Sequence, residues 1–128
     1  MYCGYPWKTM KTQGVAPVFQ VGSVGDSLKY YKEVLGFIED FRFGDNYAGV
    51  RHGEVTLHLC GHTVHKMPIG GGSAFIFCDE VDAYFETIKK NGAIVKLAPE
   101  DRPYGMRDFN VVDPDGNHLG FGCEIKKS

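Results

Sequence analysis

Three side chains with metal-binding chemistry lie on segments in which apolar and polar residues alternate. His58 and Cys60 are two positions apart on one such segment, and His118 lies on another. Side chains two apart on a strand point to the same face of the sheet, and imidazole and thiolate groups suit zinc. Because the spacing matches no known zinc motif, the pattern favours polar residues lining a pocket, or a backbone-bonded histidine, over a metal site.

Nucleophilic and acid/base catalysis are poorly supported by the sequence. No Ser or Cys stands within a local signature of a catalytic nucleophile. Glu54, Asp108 and Asp113 carry no pattern that marks them as general acids or bases. His62 and His65 belong to the glycine-rich segment 61–72, where solvated side chains are expected. The sequence therefore favours binding over catalysis.

A set of strand positions is predicted to share one concave face and to form a small-molecule pocket. The set is mainly apolar with a few polar anchors, which is the usual composition of such sites. The competing interpretation is that the phenylalanines fill the same space as ordinary core. Tyr104 and Arg107 are placed at the pocket mouth, where they could stack on a planar ligand or pair with an anionic one. The predicted ligand-binding residues are Val18, Gln20, Thr56, His58, Cys60, Phe75, Phe77, Tyr104, Arg107, Asn110 and His118.

The turn 113–117, which reads Asp-Pro-Asp-Gly-Asn, joins two of the strands that would position this pocket. Its proline presets φ at the first corner, and its glycine accepts a positive φ. Phe109 and Val111 before the turn, and Leu119 and Phe121 after it, alternate with polar residues or glycine. This alternation predicts two strands with one face against a core and the other available for a ligand.

The chain as a whole reads as two copies of a βαβββ unit. Shifting the sequence by 57 residues superimposes the apolar helix stripe Val24, Leu28 and Tyr31 on Val81, Phe85 and Ile88. Strands are expected at 15–21, 37–43, 47–51 and 54–60, then at 73–78 and 93–98, with a loop at 99–103. The half-repeats are 14–60 and 73–125 within one domain at 14–128, after an N-terminal arm at 1–13. Two curved sheets of this kind, with helices on the convex side, would enclose a cup.

Composition narrows the class of protein. The 128 residues suffice for one domain, and 14 basic against 16 acidic residues give a net charge of −2. Nucleic acid is not expected as a partner, because phosphate binding needs a positive surface. No apolar run reaches the roughly 20 residues of a membrane span, and no secretory signal is evident. Four widely spaced cysteines favour reduced thiols and a cytoplasmic location.

Two motifs resemble the vicinal oxygen chelate superfamily, which includes glyoxalase I, fosfomycin-resistance enzymes, extradiol dioxygenases and bleomycin-resistance proteins. They are the helix segment 26–37, which reads Asp-Ser-Leu-Lys-Tyr-Tyr-Lys-Glu-Val-Leu-Gly-Phe, and the turn 113–117. The resemblance spans about 14–124 and implies the α+β fold of paired βαβββ units. Shorter segments at 36–41, 48–50 and 55–57, with Tyr104 and Gly105, look most like the bleomycin-resistance proteins.

The resemblance also implies where a metal would bind. Metal-dependent members carry a His on the first strand, a His opening the fifth, a Glu on the eighth and sometimes a Glu on the fourth. These positions fall at Ala16, Ser73, Gly120 and His58. Alanine and glycine side chains offer no donor atom, and a serine hydroxyl is a poor ligand. We therefore expect no metal and no cofactor, as in the bleomycin-resistance subgroup.

Together these expectations describe a homodimer that binds a small, antibiotic-like molecule in cups at the dimer interface, with no metal, membrane or nucleic acid involved. In relatives with a single repeat pair, half of each of two subunits closes the cup, and pairing would also cover exposed sheet edges. The alternative is a glyoxalase-type lyase or isomerase whose metal site is rebuilt from His58, Cys60 and His118. A third possibility is a dimeric scaffold with a filled cup and no ligand.

Overall fold

The computed structural model describes residues 10–61 and 67–125. Their elements are β1 (Val18–Gln20), α1 (Val24–Glu33), β2 (Ile38–Phe43), β3 (Tyr47–His52), β4 (Val55–Cys60), β5 (Ser73–Phe77), α2 (Val81–Lys90), β6 (Ile94–Asp101), β7 (Met106–Val112) and β8 (His118–Glu124). Both halves follow the order βαβββ, so the predicted α+β repeat is confirmed. Of the predicted N-terminal arm, only residues 10–13 are described, and they form no regular element. No helix within the described ranges is long and apolar enough to cross a membrane.

Each half builds one four-stranded mixed sheet. The strand orders are β1-β4-β3-β2 and β5-β8-β7-β6, so the first and last strands of each half are neighbours. These neighbours run parallel, with Phe19 opposite Leu59 in one sheet and Ile76 opposite Phe121 in the other. The remaining pairs are antiparallel. The longer connection through the helix and two strands allows the parallel pairing that a short hairpin cannot make.

The two helices begin and end at residues whose chemistry suits helix termini. Ser23 caps α1, since its Oγ accepts a hydrogen bond of 3.1 Å from the backbone N–H of Asp26. Gly36 and Gly92, which follow α1 and α2, adopt positive φ values of 80° and 104°. Glycine takes this left-handed conformation without the steric penalty of other residues, so it ends both helices at matching places in the repeat.

One hydrophobic core is shared by both halves. It contains Tyr31 and Leu35 from the first half together with Phe109 and Phe121 from the second, all at most 3% exposed. Each large apolar side chain buried in this way contributes roughly 1.5–3 kcal/mol to folding. We call the face of each sheet that points away from this core its outer face. The outer faces carry exposed apolar side chains, namely Val18, Ile38, Phe41 and Phe43 on the first sheet and Phe75, Phe77, Ile94 and Leu97 on the second.

The strand bounds differ from the predicted ones mainly at β6, which continues to Asp101 instead of ending at residue 98. Pro99 within this strand lacks an N–H, and the sequence therefore suggested a loop. Because β6 is the edge strand of its sheet and its register shifts between Leu97 and Glu100, the proline removes no needed ladder bond. β1 is shorter than predicted, although a bond from His58 N to Pro17 O continues its pairing.

Candidate functional site

The turn 113–117 is a structural clamp between the two halves. Asp113, 1% exposed, accepts hydrogen bonds from the backbone N–H groups of Asp115 and Asn117 on one oxygen. Its other oxygen accepts from the Tyr31 hydroxyl of α1 at 3.0 Å and from the Asn117 amide at 2.9 Å. Because all these donors belong to the protein, the Asp113 carboxylate is engaged in structure and offers no open position to a substrate.

Asn117 extends the clamp to the segment that joins the halves. Its side-chain oxygen accepts a bond of 2.8 Å from the backbone N–H of Gly72, and its amide donates to the carbonyl of Gln20 at 3.3 Å. Burial and the neighbouring Asp113 carboxylate raise the pKa of Tyr31 well above its usual value. The turn thus fixes α1, β1 and the connecting segment relative to the second sheet, and with them the outer faces.

An aromatic group occupies the outer face of the first sheet. The Tyr47 hydroxyl and His58 Nδ1 are 2.9 Å apart, and the Phe41 ring lies edge-on to His58 at 5.1 Å between centroids. Gly49 makes this possible, because a Cβ atom at that position would overlap the Phe41 ring. Burial raises the pKa of Tyr47. The histidine is therefore a bonded, half-buried member of an aromatic surface.

Sequence reasoning missed Phe41 and Tyr47. The register of β2 against β3 shifts between Glu39 and Phe41, so simple alternation along β2 does not reveal which side chains face outward. The usable signal was Gly49 on the neighbouring strand, since a glycine inside a strand often marks a close approach of another group.

Phe75 dominates the outer face of the second sheet. Its ring lies against Gly120 and Gly122 of β8, where an added Cβ would stand 2.8 Å from Phe75 Cδ1 and 2.7 Å from Phe75 Cζ. The Phe77 ring meets it edge-on at 5.2 Å, and both rings remain partly exposed. Asn110 lies beside Gly120 and adds a polar group at the border of this surface. The predicted residues Phe75, Phe77 and Asn110 are thus brought together on one face.

A polar network holds Tyr104 at the end of the same face. Asp108, 1% exposed, accepts a bond of 2.8 Å from Arg102 Nε and a short bond from the Tyr104 hydroxyl. Arg102 also donates to the carbonyls of Ala98 and Asp108. The bond to Asp108 raises the pKa of the Tyr104 phenol, while the tyrosine itself stays 67% exposed. The result is an open aromatic surface with its hydroxyl fixed in place.

One predicted pocket residue, Arg107, lies away from these surfaces, and two others, Gln20 and Cys60, share the outer-face side by register but are buried. Arg107 lies on the helix side of β7, where its guanidinium pairs with Asp82 of α2 at 2.9 Å and with Asp101 at 3.1 Å. Strand parity explains the placement, because residue 107 shares its face with 109 and 111. Gln20 and Cys60 are buried, and the Gln20 amide donates to the Cys60 carbonyl at 2.9 Å. Val18, Thr56 and His118 are at least partly exposed on the outer faces.

The residues present do not fit the metal site of the metal-dependent relatives. Ala16 and Gly120 have no donor atoms, and the Phe75 ring covers the Gly120 position. Among residues 10–61 and 67–125, no group of three or more His, Cys, Asp or Glu side chains could hold a metal ion. The site rebuilt from His58, Cys60 and His118 is therefore not assembled within this part of the chain. His62 and His65 lie outside the described residues.

Comparison with known sequences defines the family. Residues 15–121 match the sequence profile of the Glyoxalase/Bleomycin resistance protein/Dioxygenase superfamily, and the chain belongs to it. The resemblance recognised in the helix and turn motifs is thereby confirmed.

Particular relatives refine this assignment. A protein of Mycolicibacterium smegmatis is 33% identical over 110 residues, covering 86% of this chain and 92% of that protein. A bleomycin resistance protein from Geobacillus stearothermophilus is 27% identical over 127 residues, covering 86% and 96%. The structure of a bleomycin-binding protein from bleomycin-producing Streptomyces verticillus, complexed with copper(II)-bleomycin, superposes with a TM-score of 0.72 at 27% identity, covering 88% of this chain and 97% of the other.

Proposed function

We propose that this chain binds a small aromatic or heteroaromatic molecule and sequesters it without transforming it. The observation that carries the proposal is the packing of Phe75 on Gly120 and Gly122. Where metal-dependent relatives carry a carboxylate, this chain presents an aromatic ring and a second one, Phe77, beside it. Aromatic rings gain both apolar contact and stacking energy from a planar ligand. The fixed but exposed ring of Tyr104 adds a third stacking surface.

The ligand class follows from the same residues together with the relatives. Proteins at 27% identity over most of the chain are a bleomycin resistance protein and a bleomycin-binding protein, which supports an antibiotic-like ligand. His58, Asn110 and His118 would orient it through hydrogen bonds at the edges of the aromatic surfaces. Bleomycin is cationic, and a net charge of −2 gives only weak electrostatic support for it. The proposal is therefore limited to a planar, antibiotic-like molecule.

We further propose that two copies of the chain form the complete site. The outer faces expose large apolar side chains, including Phe43 at 80% and Phe77 at 75%. A twofold dimer would cover part of this surface and would join the first outer face of one subunit to the second outer face of the other. Each dimer would then hold two equivalent cups. We also propose that the protein is cytoplasmic with reduced cysteines, as the spacing of its cysteines in the sequence favours.

Binding to wild-type protein and to Phe75→Ala tests the proposal. Calorimetric titration would begin with copper(II)-bleomycin and continue through a panel of planar aromatic antibiotics. A ligand that stacks on Phe75 should bind the variant roughly 10- to 100-fold more weakly, because truncation removes aromatic contact and leaves a gap. Ile69→Ala is the control, since Ile69 is exposed at 54% but lies in the connecting segment.

Two results would count against the proposal. The first is a panel in which every ligand that binds does so equally well to wild type and Phe75→Ala. The second concerns assembly: light scattering is expected to give twice the monomer mass, and a monomer that still binds ligand would refute the shared cup.

A further inference from the structure

A separate cavity lies at the junction of the two halves, on the core side of the sheets. Its volume is about 490 Å³, within the range of roughly 300–1,000 Å³ that is typical of small-molecule sites. Of its lining residues, only Phe77 also belongs to an outer face. The cavity therefore shares the Phe77 side chain with the aromatic surfaces proposed above as the main site, while its other lining residues among the described ranges lie apart from them.

One wall of the junction cavity is a continuous series of aromatic rings. The His52 ring meets Phe37 edge-on at 5.2 Å and Tyr84 at 5.5 Å, and Tyr84 meets Phe121 at 5.0 Å. The Tyr84 hydroxyl donates a bond of 2.7 Å to the carbonyl of Leu35 in the first half. This bond crosses the junction and fixes the ring, so the wall is preformed.

The acidic side chains that line the cavity come from both halves of the chain. Glu54, Asp79 and Glu80 line it together with the imidazole of His52, and no Lys or Arg of residues 10–61 and 67–125 does. Among the described residues, none of the three carboxylates makes an ion pair with a basic side chain. Asp79 and Glu80 also stand at the start of α2, where negative charge is favourable. Glu54 belongs to the other half and has no such role, so the negative charge comes from two independent elements.

We propose that the junction cavity binds an organic cation, namely a protonated amine or quaternary ammonium group on an aromatic or apolar body. The apolar body would lie against the wall of rings, and the cationic group would face the three carboxylates. Aromatic ring faces add a favourable interaction with such a cation. A metal ion is not the expected occupant, because these carboxylates do not form a group that could hold one within the described residues. The inference does not depend on the proposed function.

Three matched probes test the inference: 1-naphthylmethylammonium, the neutral 1-naphthylmethanol and the anionic 1-naphthylacetate. Each would be titrated into ¹⁵N-labelled protein at low salt and neutral pH, and amide shifts would locate the site. The ammonium should bind most tightly and the carboxylate least, with shifts centred on residues 52–55 and 76–80. Raising the salt concentration should weaken the ammonium alone, because salt screens charge.

A charge-removal variant separates electrostatic from apolar binding. E54Q/E80Q should weaken the ammonium roughly three- to tenfold, as expected for losing two exposed charge interactions. The same variant should leave the alcohol unchanged. E33Q/E86Q removes the same net charge on exposed surfaces of α1 and α2, outside the cavity lining, and should change ammonium affinity less than twofold.

Several outcomes would overturn the inference. The first is equal affinity for the alcohol and the ammonium. The second is amide shifts centred away from the junction cavity. The third is an absence of amide shifts at the cavity, as expected if a second copy of the chain covers it. Phe75→Ala should retain ammonium binding, so the result for this cavity and the result for the proposed main site can be told apart.

Discussion

Replacing Asn117 by alanine should strongly destabilise the fold, because this side chain joins three separate segments. Asn117 is fully buried, and its amide group makes three hydrogen bonds, to Asp113, Gln20 and the backbone of Gly72. The substitution removes all three without changing the strand that follows. It therefore measures how much the turn contributes as a clamp between the halves.

The expected loss of stability in Asn117→Ala depends on which hydrogen bonds each former partner of Asn117 retains. Asp113 keeps the hydroxyl of Tyr31, and the Gln20 carbonyl keeps the N–H of Gly70. Each of these two lost bonds should cost about 1 kcal/mol. The Gly72 N–H is left without its partner, which adds about 1–3 kcal/mol. The total is a loss of about 3–5 kcal/mol, a large fraction of the ~5–15 kcal/mol that stabilises a typical domain.

Urea denaturation followed by circular dichroism would measure the free energy of unfolding. Asn91→Ala is the matched control: its amide makes one exposed bond of 3.3 Å to the Val34 carbonyl, so about 0.5–1 kcal/mol is expected. The slope of the unfolding free energy against urea concentration should be the same in both variants as in the wild type. If Asn117→Ala costs no more than Asn91→Ala, the clamp interpretation of the turn is wrong.

The free energy of unfolding should fall above pH ~10, because the Tyr31 hydroxyl then ionises in the unfolded chain, whereas its raised pKa keeps it protonated in the folded protein. In denaturation measurements, Tyr31→Phe should make this fall shallower by about 1.4 kcal/mol per pH unit. Asp108→Asn should lower the pKa of Tyr104, which ultraviolet titration against Tyr104→Phe would detect; an unchanged pKa would show that the carboxylate does not hold the phenol. Gly120→Ala should displace the Phe75 ring and weaken ligand binding in calorimetry at least tenfold, since the added Cβ would meet the ring at 2.8 Å; wild-type affinity would contradict the packing.

The repeat and most of the strands were predictable because they depend on local patterns. Helical spacing of apolar residues and alternation in the strands are set by the geometry of each element. Gly36 and Gly92 ended the helices as expected because their positive φ is a local requirement. The same reasoning placed Phe75 and Phe77 on one face, since β5 is short and regular.

Contacts between elements were not predictable in the same way. Asp108 and Arg102 form a part-buried pair only because the chain turns back before β7, and neither residue stands in a recognisable motif. Arg107 was expected at the pocket mouth, but its parity and the carboxylate of Asp82 place it on the helix side. The turn 113–117 was recognised as a turn, whereas its role in joining the halves required knowing what surrounds Asn117.

We propose that the chain binds an aromatic small molecule with its own side chains and needs no metal of its own. The most direct test is to dialyse the protein against a chelator, remove the chelator, and then titrate the antibiotic panel by calorimetry. We expect at least one ligand to bind with a Kd below about 10 μM, which corresponds to roughly −7 kcal/mol, and the dialysis should leave this affinity unchanged. Binding that returns only when zinc, nickel or manganese is restored, or no binding at all, would contradict it.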